Sequence, residues 1–500
     1  MRDAARARVP DSQACYWYLR ELASRELCRR NVGEQLFQVV ERQEPVVTEQ
    51  ATHMKLGMFY WPGGGQHMAA WRHPDAYPDF DVDIQRIVDL AKLAERGLFD
   101  MFFMADSLTF WRGPLEAMSH DAAGAWIEPL TVMASVAQHT RHLGLVCTSS
   151  TTYDQPYLLA RRFAGLDLAS GGRVGWNLIT TGNSAASRSF GHEEHVEKSA
   201  RYRMAWEFAH VVRGLWSSWR LDAFVRDQRS GLFFDPAKLF VLEHEGEFFK
   251  VRGPLIVPPS PQGEPVMVQA GASEDGRELA AATAEVIFAA QQHFDTAQKF
   301  YTDVKGRMKA FGRHPDSLKI MPGLMVFVAE THEQAQAEFE QLQDLIDPVM
   351  GLAFLSQRMD FDFSGFDPED PVPVLPVTPR GGSRAQLVNE QVAKNPGMTL
   401  RSLYKHFAAG RGHGLIVGSP TEVADHMQRW VAGNACDGFN IMPPVYPRDL
   451  QRFNDLVIPE LQRRGLYRTR YEATTLRGNL GHTRPPWSPT GPRKMSMAAE

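Results

Sequence analysis

From Met54 onward the chain alternates between two apolar patterns: short unbroken runs such as MKLGMFYW and FDMFFMAD, and longer stretches in which apolar residues recur every three or four positions. In DIQRIVDLAKLAERG, for example, Ile84, Ile87, Val88, Ala91 and Ala94 share one helical face. The first pattern predicts buried strands and the second amphipathic helices, and their strict alternation is the mark of βα units built on a parallel sheet. Eight units follow one another, with strands at MKLGMFYW, FDMFFMAD, LGLVCTSST, RVGWNLIT, PVMVQAG, EVIFAA, LKIMPGLMVFVA and FNIMPP. Eight units close a ring more naturally than they extend an open sheet, so the predicted fold is α/β, a (β/α)8 TIM barrel with insertions over residues 54–470.

Two excursions interrupt the alternation. Residues 220–264 contain GEFFKVRGPLIVPPSPQG, which reads as a hairpin and loop placed before the fifth strand. Residues 347–414 contain DFDFSGFDPEDPVPVLPVTPRGG, too long for an idle connection and therefore a candidate lid or substrate wall. Residues 1–53 carry only a weak helical pattern and read as an N-terminal extension, either an appended arm or the product of an upstream start codon. Residues 471–500, rich in Pro, Gly and polar side chains, read as a loosely held C-terminal tail.

Composition narrows the function. A net charge of −5 with 23% charged residues offers no electrostatic footprint for nucleic acid or an anionic membrane, which leaves small molecules as the expected partners. No run of eighteen apolar residues is present, and the Arg-rich first thirty residues lack an apolar core, which argues against a spanning helix or a secretory signal. Cys15, Cys28, Cys147 and Cys436 are scattered without a C-x-x-C spacing, so neither a disulfide framework nor a zinc knuckle is indicated and a reducing cytoplasm is expected. HEEH at 192–195 lacks the zinc spacing H-E-x-x-H; phosphate-loop, dinucleotide and nucleophile-elbow motifs are missing; GGG at 63–65 and GRGHG at 410–414 read as loop flexibility. Asp106 and Glu330 are the nearest approach to a glycosidase carboxylate pair, but the fourth strand ends in NLIT without one.

In such a barrel the chemistry gathers where strands end. This rule selects Trp61 to His73, Asp106, Thr148 to Thr152, Asn177 to Asn183, and Gly271 to Ser273. Plain structural roles remain open for each: a turn cap for Asp106, strand and turn propensity for Thr148, Ser149 and Ser150, and a helix N-cap for Ser273. For Gly271, Ala272 and Ser273 the sharper reading is a turn small enough to bring helix-terminal N–H groups against an anion.

The stretches HMAAWRHPDA, EPLTVMASVA, STTYDQPYLLARRFAGLDLASGGRVGWNLIT, ARYRMAWEF, QAGASEDGRELAA and GFNIMPP, in this order between about Met54 and about Pro485, resemble the nitrilotriacetate monooxygenase component A family of bacterial-luciferase-like flavin monooxygenases. The resemblance implies the same barrel and FMN as cofactor, supplied as FMNH2 by a separate NAD(P)H:FMN reductase. It implies further that O2 reacts through a C4a-(hydro)peroxyflavin to oxidise a small N- or S-containing compound, in a homo-oligomer, dimer or tetramer. By the same resemblance Asp106, Thr148, Tyr202 and Ser273 bind FMN, with Tyr202 and Ser273 at its phosphate end. Lys198 stands where relatives carry histidine; it can serve a phosphate as a point charge but not as a neutral imidazole. No catalytic side chain is assigned. Phe59, Trp61 and Trp71 are candidate walls, and His67 and His73 candidate proton carriers. The alternatives are a deazaflavin-dependent dehydrogenase on the same fold, a flavin-independent barrel hydrolase, and a flavin-binding protein without activity.

Overall fold

A computed structural model describes residues 53–376 and 382–488. The N-terminal extension read from the sequence therefore lies, except for His53, outside the described residues. Nine strands form the main sheet: β1 Lys55–Tyr60, β2 Met101–Met104, β3 Gly144–Ser150, β4 Val174–Ile179, β5 Val266–Gln269, β6 Val286–Ala289, β7 Lys319–Val328, β8 Gly414–Gly418 and β9 Gly438–Met442. All their pairings are parallel. Eight of them close the ring β1-β2-β3-β4-β5-β6-β7-β9, with β9 returning to β1.

The ninth, β8, lies outside the ring and pairs with Leu324–Val328, the half of β7 beyond its pairing with β6. The apolar pattern concealed this strand because GLIVG is short, begins and ends in glycine, and sits at the close of the long second excursion.

Helices α1 Ile84–Arg96, α2 Pro129–His139, α3 Pro156–Ala169, α4 Lys198–Trp216, α5 Glu274–Thr283, α6 Phe294–Arg307 and α7 His332–Asp344 follow β1 to β7 in turn. Outward residues such as Leu56, Met58, Phe102 and Leu145 bury against them. Inward residues fill the ring, with Phe59, Phe103 and Phe288 packed together at centroid distances of 4.5 to 5.4 Å. Gly57 also points inward, and a Cβ there would stand 2.1 Å from Asn440 Oδ1, so a larger residue would evict that amide.

The two excursions have structure of their own. The first holds a short antiparallel hairpin, His244 opposite Val251 and Glu245 opposite Lys250. The second contributes α8 Pro348–Met359, α9 Gly382–Lys394 and α10 Leu400–Ala408, whose Leu355, Leu403 and Tyr404 join the apolar cluster of Phe288 and Met325; α11 Pro420–Ala432 then leads to β9.

The expectation of a loose tail is corrected over residues 471–488. Leu476 and Leu480 are fully buried beneath the barrel floor. Arg477 is ion-paired with Glu285 and donates to the Glu264 carbonyl at 2.9 Å, and Lys55 Nζ donates to the Asn479 carbonyl at 2.8 Å. Leu476, Arg477 and Leu480 are buried at the N-terminal end of the ring, a signal too sparse to register against a Pro- and Gly-rich background. Among the described residues no helix is long and apolar enough to cross a membrane.

Candidate active site

The site begins where β4 ends. Thr181 adopts a left-handed φ of 46°, unusual for a β-branched residue, and turns the chain over the rim. Arg201, buried in the first turns of α4, donates to the carbonyls of Thr180 at 2.8 Å, Thr181 at 2.9 Å and Val196 at 3.0 Å, and so fixes the start of α4 to the end of β4. The next residue, Tyr202, places its hydroxyl 2.9 Å from Ser273 Oγ.

Ser273 is the N-cap of α5 and accepts from Gly276 N at 3.3 Å. The small residues before it are partly a packing requirement: a Cβ on Gly271 would come within 3.2 Å of Gly276 Cα, and one on Gly276 would come as close to Gly271. Ala272 is nevertheless exposed and Ser273 half-buried, so the turn opens to solvent. Of the two hydroxyl protons in the Tyr202–Ser273 pair, one is spent between them and the other is left to donate outward. Both acidic residues of the first turn are matched by cations: Glu274 by Arg277 and Arg307, and Asp275 by Lys198 at 3.1 Å. The Lys198 ammonium also lies 5.8 Å from the Tyr202 ring, which places it beside the pair but on an exposed ion pair of its own.

Further round the rim, Thr148 on β3 donates to the Met104 carbonyl at 2.9 Å and accepts from Asn177 Nδ2 at 2.9 Å. Asn177 Oδ1 is buried without a partner, an acceptor that calls for a ligand or water N–H or O–H. Asp106, just past β2, accepts from the Trp126 indole at 3.0 Å; burial holds its carboxyl above the usual range, with the indole N–H opposing. Asp106 and Thr148 line a common cavity of about 1150 Å³ with Tyr153 and Phe190. The candidate residues thus fall into two groups on one rim: Asp106 with Thr148, and Tyr202 with Ser273 and Lys198.

The loop after β1 is held by Asp81, which accepts from Tyr60 Oη and Gly63 N, both at 2.6 Å, and whose carboxyl is pushed up to about 6 by burial. His67 does not fit the expected proton carrier. Its Nδ1 accepts from Ala69 N at 3.2 Å, leaving Nε2–H to donate to Gln343 Oε1 at 3.1 Å, and burial lowers its pKa to about 4. Both nitrogens of this neutral ring are engaged in holding the loop. His73 is buried too, accepts from Arg448 at 2.9 Å, and has its pKa lowered by burial and by that guanidinium. Of the candidate walls, Phe59 is inside the ring, Trp61 lies 6.1 Å from Trp126 at the mouth, and Trp71 is half-buried.

Several mouth residues escaped the sequence reading. Arg112 and Trp126 come from the loop after β2, and Arg411 and His413 from the GRGHG segment read as flexible. His413 stacks on Phe288 at 4.9 Å with 10° between the planes, and burial and Arg411 lower its pKa to about 4. These loops lack apolar periodicity; their one signal was aromatic and arginine residues between strand ends. Among the described residues no group of three or more His, Cys, Asp or Glu is placed to hold a metal ion.

Known proteins share this architecture. The chain is 46% identical over 442 residues to the N-acetyl-S-(2-succino)cysteine monooxygenase of Bacillus subtilis (strain 168), a match covering 88% of this chain and 99% of that one. It is 44% identical over 441 residues to nitrilotriacetate monooxygenase component A of Aminobacter aminovorans, covering 86% and 97%. The crystal structure of a riboflavin lyase with modified FMN and riboflavin superposes with a TM-score of 0.74 at 32% identity, covering 88% of this chain and 98% of that one. The sequence pattern of the family described as luciferase-like monooxygenase matches residues 54–435. With a closed eight-stranded ring, a polar rim at its strand ends and relatives matched over nearly their whole length, the chain belongs to the luciferase-like monooxygenase family.

Proposed function

We propose that the chain is the oxygenase component of a two-component system that uses FMN in its reduced form, with O2, to oxidise a small N- or S-containing organic compound. The observation that carries this reading is the Tyr202–Ser273 pair at the open N-terminus of α5, which offers a spare hydroxyl proton and helix-terminal amides to a phosphate. The unpartnered Asn177 acceptor on the same rim suits a ring system that carries N–H donors. Lys198 would add charge at the phosphate end, and Asp106, braced by Trp126, and Thr148 would line the opposite end of the cofactor.

Held by Tyr202, Ser273, Lys198, Asp106 and Thr148, reduced FMN would supply the two electrons by which one atom of O2 enters the substrate and the other leaves as water. The protein holds the cofactor, orients the substrate and keeps bulk water out, because water at such a site diverts O2 to hydrogen peroxide. Trp61, Trp126 and Phe288, with the helices of the second excursion, wall the mouth. A separate NAD(P)H:FMN reductase, a cytoplasmic location and a homo-oligomeric state, dimer or tetramer, belong to the same proposal; a relative named component A supports the division of labour.

Single-turnover reaction with photoreduced FMN, 18O2 and a panel of amines and thioethers tests it. Label in an organic product, dependent on FMN, is expected. Turnover without flavin would favour a hydrolase, and anaerobic turnover a dehydrogenase; either overturns the proposal.

A further inference from the structure

Among the described residues the first excursion leaves an apolar surface bare. Leu221, Val225, Leu232, Phe233 and Ile256 all belong to it and are between 46% and 63% exposed. They gather round one aromatic knot. Trp219 packs on Phe224 at 4.7 Å and on Phe234 at 5.1 Å, and Phe224 lies 6.1 Å from Phe233. The Trp219 indole donates to the carbonyl of Leu255, the residue before Ile256, at 2.7 Å. The amides of Arg226 and Asp227 donate to the carbonyls of Phe233 at 3.0 Å and Leu232 at 2.9 Å, which closes the turn and fixes the outward side chains. Five large residues at these exposures show about 500 Å² of surface, in the upper part of the range that a lone soluble chain leaves bare. Two copies set face to face would cover about 1,000 Å² before any polar rim is added, the level a specific interface must clear.

The place of this surface in the fold argues for a second copy over a flavin-delivering partner. In a βα unit the helix runs back toward the strand starts, so the end of α4 and the start of β5 both lie at the floor of the ring. The excursion joins these two points, and the Phe240 amide donates to the Ser218 carbonyl at 2.7 Å and the Arg220 amide to the Lys238 carbonyl at 3.0 Å, which root it there. A protein handing over reduced flavin must reach the mouth, at the other end. Charge points the same way. Arg226, Arg229 and Asp227 are exposed on the same turn, and among the described residues none of them forms an ion pair. Unpaired charges of both signs on one surface suit a two-fold contact, in which the patch meets itself and the cation of one copy faces the carboxylate of the other.

Resting on the homo-oligomeric state proposed above, we propose that the apolar surface of residues 221–233 and Ile256 docks a second copy of this chain, with Phe233 as its main anchor.

Sedimentation velocity and light scattering on the full chain test this. The wild type is expected as a dimer or tetramer. Phe233→Glu sets two carboxylates into an apolar contact and should raise its dissociation constant about thirtyfold or more, so that the particle falls to half the wild-type mass. FMN affinity should change by less than about twofold, because the floor and the mouth share no side chains. Val82→Glu, on a residue of the mouth loop that is also 60% exposed, should leave the mass unchanged. Labelling with a photogenerated carbene should spare residues 224–233 in the wild-type oligomer, a readout that needs no variant. The proposal is overturned if Phe233→Glu keeps the wild-type mass, if Val82→Glu dissociates equally, or if residues 224–233 are fully labelled. Melting curves check folding; should Phe233→Glu fail to fold, Leu221→Glu is expected to dissociate instead, and an unchanged mass there overturns the proposal. A monomeric wild type would sink the homo-oligomeric state together with this contact, whereas an intact oligomer of Phe233→Glu would sink the contact alone and leave the face to a partner of another sequence.

Discussion

Ser273 is the N-cap of α5 and, in the function proposed above, a phosphate ligand, and three substitutions pull the two apart. As the N-cap of α5 it accepts from Gly276 N, and Asn or Asp caps a helix about as well as Ser, whereas Ala costs about 1 kcal/mol. As a phosphate ligand it must be neutral or donating. A carboxylate at 273 would face phosphate oxygens at about 4 Å, where a unit pair repels by about 4 kcal/mol at an effective dielectric constant near 20. Ser273 is half-buried, so solvent screening reduces this to about 2 kcal/mol, or roughly thirtyfold in affinity. The expected series is therefore specific: Ser273→Asp weakens FMN binding at least about thirtyfold and leaves the melting temperature within about 2 °C of wild type; Ser273→Asn keeps binding within about fivefold; Ser273→Ala lowers stability by about 1 kcal/mol. Anaerobic titration of photoreduced FMN, followed by calorimetry, gives the affinities, and urea unfolding gives the stabilities. Equal FMN affinity for the Asp and Asn variants would refute the placement of the phosphate, whatever the stability data show.

Other outcomes follow from the same geometry. Arg201→Ala removes three hydrogen bonds that tie α4 to the rim, so Tyr202 loses its fixed position and FMN affinity should fall about tenfold or more; unchanged affinity in the titration would exclude this positioning role. Arg477→Ala strands Glu285 beneath the barrel and should cost about 3–5 kcal/mol in urea unfolding; a loss below about 1 kcal/mol would show that the C-terminal plug is dispensable. His67, His413 and His426 are held near pKa 4 by burial but titrate near about 6.5 when unfolded, so the unfolded chain binds more protons between these values and stability should fall as pH drops from about 6.5 toward 4. Asp81 and Asp167, raised to about 6, work in the opposite sense over the acid part of that window and reduce the slope. His426→Gln should therefore remove up to about 1.4 kcal/mol per pH unit from the pH dependence, and an unaltered slope would contradict the burial argument.

The ring of eight strands was legible because each strand is a dense apolar run and each helix an amphipathic one, and both periods survive in a single sequence. The rim positions followed from the ring: Asp106, Thr148 and Ser273 all lie just past or at the end of their strands. Periodicity is blind to the rest. The strand GLIVG and the floor segment around Arg477 bury too few apolar residues to stand out, and the mouth is completed by Arg112, Trp126, Arg411 and His413, whose loops follow no period. His67, a candidate proton carrier or a merely solvated loop histidine from the sequence, is neither: it serves to fix that loop, because burial excludes its charge and both nitrogens have partners. The small residues at 271–273 were ambiguous for a sound reason: Gly271 is required by close approach to Gly276, while Ser273 remains open for a ligand.

The most direct measurement is a crystal of the full chain soaked anaerobically with reduced FMN. The account predicts phosphate density within hydrogen-bond distance of Ser273 Oγ and Tyr202 Oη, with the ring system over the barrel mouth toward Asp106. Phosphate density against Arg411 instead, or no bound cofactor at saturating concentration, would contradict it.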